Sequence, residues 1–81
     1  MHELGICQRL AEVVLERAAQ AGAQKVRAVQ LVLGDESDVA PESLELYWPQ
    51  VTRATPAEGA RLVFGRADDP FACRVVAIDA E

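Results

Sequence analysis

The sequence predicts an α/β (α+β) two-layer sandwich, with two helices on a small three-stranded sheet in the order helix-strand-helix-strand-strand. Three observations carry this expectation. Apolar residues recur every three or four positions from about Glu3 to Gln20, the period of a helix packed on one side. From Lys25 to Gly34 they alternate instead, the period of a strand. Two further short alternating runs, Arg61 to Arg66 and Phe71 to Ile78, are separated by turn chemistry.

The first helix presents Leu4, Cys7, Leu10, Ala11, Val14, Leu15 and Ala18 as one stripe, widened by Ile6 and Val13. Arg9, Glu12, Glu16, Arg17 and Gln20 take the opposite face. Glu3 sits in the first turn, where the helix dipole favours an anion. Gly22 follows the last turn as the expected C-cap. In the first strand Val29, Leu31 and Leu33 share one face, and Ala28, Gln30 and Val32 the other. Asp35 to Ala40 reads as an acidic loop holding Asp35, Glu36 and Asp38.

Pro41 suits the first position of a second helix, whose apolar spacing runs through Leu44, Tyr47 or Trp48, and Val51. Pro49 lacks the amide that would bond the carbonyl of Glu45, so a kink or stop is expected near Trp48. Thr55-Pro56-Ala57-Glu58 has the spacing of a capping box, with one short turn closed by Gly59. The second strand places Leu62 and Phe64 on one face. Ala67-Asp68-Asp69-Pro70 is a turn. In the third strand Phe71, Cys73, Val75 and Ala77 are expected on one face and Val76 and Ile78 on the other. Strands two and three are expected to form a hairpin.

The 81 residues amount to one domain, 1–81. A domain of this size buries only about 60–65% of its unfolded surface, so dimerisation or a partner would add stability. A hydrophobic share of 51% indicates a packed fold. Because the only aromatics are Tyr47, Trp48, Phe64 and Phe71, that core must be mostly aliphatic. The net charge of -5 is spread along the chain and argues against nucleic acid, whose phosphates need a basic patch. No apolar run reaches the roughly 20 residues of a membrane span, and no signal peptide is visible. A cytoplasmic chain with reduced cysteines is expected.

The chemistry-bearing stretch is Met1-His2-Glu3. His2 is the sole histidine. The terminal amine of Met1, the backbone nitrogen of His2 and its imidazole can chelate one metal ion together, closing a five- and a six-membered ring. Three nitrogens in a plane suit square-planar Ni(II) or Cu(II). Amide coordination requires loss of the amide proton, so affinity should rise with pH. A bulky second residue such as His keeps the initiator methionine in place. Glu3 contributes through its backbone or as a support. Candidates for the fourth ligand are the Glu3 side chain or backbone, a carboxylate from Asp35, Glu36, Asp38 or Glu42, or a group from a partner. With one histidine and no CxxC, a tetrahedral zinc site has no ligand set. Cys7 and Cys73 read as packing residues. Nothing reads as an activated nucleophile beside a base, nor as a phosphate loop, so no enzyme is expected.

Four pieces, in order, resemble the HypA/HybF family of hydrogenase nickel-insertion proteins. They are Met1-His2-Glu3-Leu4, Val29-Gln30-Leu31-Val32-Leu33-Gly34, Val39-Ala40-Pro41-Glu42-Ser43-Leu44 and Thr55-Pro56-Ala57-Glu58-Gly59-Ala60. The resemblance implies a nickel-binding metallochaperone for [NiFe]-hydrogenase, with His2 as nickel ligand. It also implies a HypB-type GTPase and the hydrogenase large subunit as partners, and sometimes a role in urease maturation. Family members usually continue from the second strand into a zinc domain with two CxxC pairs. Here that domain is missing, and the residues from Cys73 look like the family's C-terminal strand, joined through a turn near 67–70. A rival alignment makes Cys73 the first cysteine of a decayed zinc site, with Val76 in place of the second. No zinc is expected on either alignment. Open sheet edges leave a homodimer as an expectation. The competing functional reading is a metal-free assembly or regulatory module of the same descent.

Overall fold

In the computed structural model, which describes residues 2–81, helix α1 spans His2–Gln20 and buries Cys7, Leu10, Ala11, Val14 and Ala18. Its C-terminus closes on Gly22, at φ 68°, with Gly22 N–H bonded to the Ala19 carbonyl and Ala23 N–H to that of Ala18. That pair of bonds is a Schellman motif, and glycine adopts its left-handed conformation without a Cβ penalty.

β1 (Val26–Leu33) is the centre of a three-stranded mixed sheet in the order β2-β1-β3. α2 (Pro41–Val51) carries the chain across to β2 (Arg61–Arg66), which lies parallel to β1 with Val29 opposite Leu62 and Leu31 opposite Phe64. β3 (Cys73–Ala80) returns antiparallel along the other edge of β1. The expected hairpin between β2 and β3 is therefore wrong. β1 buries Val26, Val29, Leu31 and Leu33 and takes the central place, so each of its edges pairs with a less buried strand.

Residues 67–72 must then cross the end of β1. They do so over Gly34, where a Cβ would run into the backbone of Asp69 and Pro70. Ala67 N–H bonds the Leu33 carbonyl, Gly34 N–H that of Ala72 and Glu36 N–H that of Pro70. Phe71, expected on β3, belongs to this link and is 68% exposed. The faces of β3 also differ from simple alternation. A register shift at Val76 lets Cys73 and Val75 face the core first and Ile78 and Ala80 after it, leaving Ala77 on the outer face.

Both helices cover one face of the sheet. Residues of α1, β1, α2, β2 and β3 join one apolar cluster that includes Cys7, Val14, Val29, Leu31, Leu44, Trp48, Leu62 and Val75. α2 does not stop near Trp48 but runs through Pro49 to Val51. Burial of Trp48 holds the turn, and the Trp48 carbonyl receives both the backbone N–H and, at 2.7 Å, the Oγ1 of buried Thr52. Trp48 Nε1 donates to the Ala57 carbonyl, tying α2 to the following turns. There the Thr55 hydroxyl caps Ala57 N–H, and Glu58 reaches back to Ala54 N–H rather than to Thr55 as a capping box would. Ala54 sits at φ 61°.

The acidic loop holds an unexpected core residue. Val39 is 1% exposed and shares the apolar cluster with Leu44. With Ala40 as N-cap of α2, these are the N′ and N4 positions of a hydrophobic staple, which sets the angle at which the loop enters the helix.

Candidate metal centre

His2 is the first residue of α1 and is exposed. The expected contribution of Met1 lies outside the described residues. An amide at residue 2 or 3 of a helix that begins at residue 2 has no carbonyl four residues earlier to bond, so it is free for other chemistry. Helix formation and amide coordination are thus compatible at this terminus.

Glu3 is half-buried, and its Oε2 accepts a 3.2 Å hydrogen bond from Ser43 Oγ in the first turn of α2. The carboxylate is committed to tying two helix N-termini together, which fits the support role better than the ligand role. Ser43 was not singled out among candidate site residues. Its place in the first turn of α2 was legible in the sequence, but its partner 40 residues away was not.

The acidic residues separate. Asp35 is paired with Arg66 across the link. Glu36 and Glu42 are exposed. Asp38 lines the same groove as His2, a space of about 720 Å³ between α1, β3 and the link. The Ser37 hydroxyl accepts from Val39 N–H and donates to the Val39 carbonyl, shaping the loop at Asp38.

Both thiols are shifted upward. Burial pushes the Cys7 thiol up from the usual 9.0, with the neighbouring Cys73 and Glu3 adding to the effect. Burial likewise raises Cys73, and Asp38 adds to this, while a hydrogen bond with Ser37 opposes it. Among the described residues no group of three or more His, Cys, Asp or Glu side chains is placed to hold a metal ion. No described helix is long and apolar enough to cross a membrane.

Comparison with known proteins gives this terminus its context. A family model described as "Hydrogenase/urease nickel incorporation, metallochaperone, hypA" matches residues 1–79. The hydrogenase maturation factor HypA of Thermococcus gammatolerans is 36% identical over 74 residues, 91% of this chain and 53% of that protein. That of Chlorobaculum parvum is 38% identical over 73 residues, 90% of this chain and 65% of its own length. That of Pectobacterium atrosepticum is 47% identical over 62 residues, 76% of this chain and 53% of its own length. The chain thus spans between about half and two thirds of the length of these relatives. By this match, the chain belongs to the HypA family of hydrogenase and urease nickel-incorporation metallochaperones.

Proposed function

We propose that the chain holds Ni(II) at Met1-His2-Glu3 and hands it on during maturation of [NiFe]-hydrogenase. The observation that supports this most is the placement of His2: exposed, at the first residue of α1, on a helix end tied down through Glu3 and Ser43. The terminal amine, the residue-2 amide nitrogen and the imidazole supply three nitrogens. The metal is cargo, and the chain's task is to bind it reversibly. An exposed ligand set with one position left to a carboxylate or a partner group suits that task. Asp38, in the groove with His2, is the side chain favoured for that position, since Asp35 is engaged by Arg66.

Family membership supports delivery to a hydrogenase large subunit, with a HypB-type GTPase as the working partner and urease as a second destination. The zinc domain that the family resemblance leads one to look for would sit between β2 and β3. Residues 67–72 occupy that place, and the chain contains no CxxC pair. Zinc is accordingly not part of this reading. The test is nickel titration of untagged protein beside His2→Ala: one site is expected in the former and none in the latter.

A further inference from the structure

The groove that holds His2 extends well beyond it. His2, Gly5, Ile6, Arg9, Leu10, Val13 and Arg17 line it along α1, at the three- and four-residue spacing of one helix face. From residue 2 to residue 17 such a stripe covers about 22 Å. The opposite wall is Phe71, Cys73, Arg74 and Val75, with Asp38. Arg17 Nη1 donates to the Val76 carbonyl at 3.1 Å, which fixes the end remote from His2. The loop that carries Asp38 is bonded to the link just before β3, Gly34 N–H to the Ala72 carbonyl and Glu36 N–H to that of Pro70, so the acid belongs to the end away from Arg17.

Two properties of this groove are at odds with the rest of the chain. It is apolar where it faces solvent: Phe71 is 68% exposed, and Ile6 and Val13 on the opposite wall are only half-buried. It is also basic on an acidic protein. Arg9, Arg17 and Arg74, three of the eight Lys and Arg residues in a chain of net charge -5, stand around it with Asp38 the one carboxylate in the lining. All three arginines are exposed, and Asp38 lies at the His2 end, so along the remaining length the charged side chains in the lining are arginines. A second copy docking by the same face would set arginines against arginines, which like-charge contact penalises.

We infer that the groove between α1 and β3 is a docking site for an acidic amphipathic segment of a partner protein, apolar side chains on Phe71, Ile6 and Val13 and carboxylates on Arg9, Arg74 and Arg17. The inference rests on the nickel-carrier reading for the significance of one end of that segment lying beside His2. Binding itself does not require metal. A segment of about 15 residues spans the groove if it is helical. Charge complementarity would speed encounter and select the partner, and the apolar contacts would hold it.

The probe is a pair of fluorescent peptides of about that length with the same leucine stripe, flanked by Glu in one and by Lys in the other. They are titrated by anisotropy against metal-free, untagged full chain at low salt. The Glu-flanked peptide is expected to bind about tenfold or more tightly than the Lys-flanked one, with the gap narrowing as salt is raised. The double variant Arg9→Glu/Arg74→Glu, at two exposed positions that the fold does not need, should reverse the order. Phe71→Ser should weaken both peptides. Equal affinity for the two peptides, no binding of either, or indifference to the charge reversal overturns the inference. So does a dimer in sedimentation that the Phe71→Ser variant abolishes, because a second copy would then be the occupant. Peptide binding is read on metal-free chain and the nickel site by metal titration of His2→Ala, so failure of the nickel site and failure of the docking site read out separately.

Discussion

Ser43 Oγ donates to Glu3 Oε2 at 3.2 Å, joining the first turns of α1 and α2. The bond sits one residue from His2 and is the side-chain link that orients the start of α1. A support of this kind acts on affinity through positioning. Ser43→Ala should weaken nickel binding by roughly tenfold, the low end of what outer-shell partners contribute, without changing the fold. Calorimetric titration of nickel with circular dichroism on the same samples checks this. Unchanged affinity would assign the bond to helix packing alone.

Asp38 and His2 line one groove, while Asp35 is held by Arg66. If Asp38 closes the nickel site, Asp38→Asn should lower affinity and alter the metal's electronic absorption, and Asp35→Asn should do neither. Identical spectra and affinities for the Asp38 variant would hand the fourth position to Glu3 or to a partner.

Two backbone positions predict opposite changes in stability. At Gly34 a Cβ meets the Asp69 and Pro70 backbone, so Gly34→Ala should cost about 1–3 kcal/mol through displacement of the link. Ala54 holds φ 61°, and Ala54→Gly should gain about 1 kcal/mol by removing the Cβ strain of the left-handed conformation. Urea unfolding measures both. Equal midpoints for wild type and Gly34→Ala would mean that the link is free to move off β1.

Much of this fold was legible in the sequence because its signals are local. The three-four spacing of Cys7, Leu10, Ala11 and Val14 marked the buried face of α1, and Gly22 marked its end. The errors came from non-local facts. Nothing between Arg66 and Cys73 distinguishes a hairpin turn from a link over Gly34, because the choice is made by which strand is most buried. Val39 was read with its acidic neighbours although Val39 and Leu44 have the spacing of a staple. Pro49 was weighed without Thr52, whose hydroxyl and amide both return to the Trp48 carbonyl. At the candidate site, His2 could be found from residue type and position. Its neighbourhood with Asp38 and the arginines could not, since it depends on α1 lying beside β3.

The two cysteines give the fold an alkaline limit. Burial raises both thiols above the ordinary 9.0 in the folded chain, so the unfolded chain releases these protons at lower pH. Their contribution to stability is complete below the ordinary thiol value and is lost as pH rises through the folded values. Urea midpoints should therefore fall as pH rises above the ordinary 9.0, and Cys73→Ser should fall less steeply than wild type. Parallel curves would place the alkaline loss elsewhere.

The most direct measurement is nickel titration of the untagged chain, of His2→Ala and of a chain extended at its N-terminus, each followed by calorimetry and absorption. Expected are one site in the untagged chain, tighter as pH rises because amide and imidazole protons must leave, and no comparable site in the other two. Equal uptake by His2→Ala would contradict nickel binding at Met1-His2-Glu3.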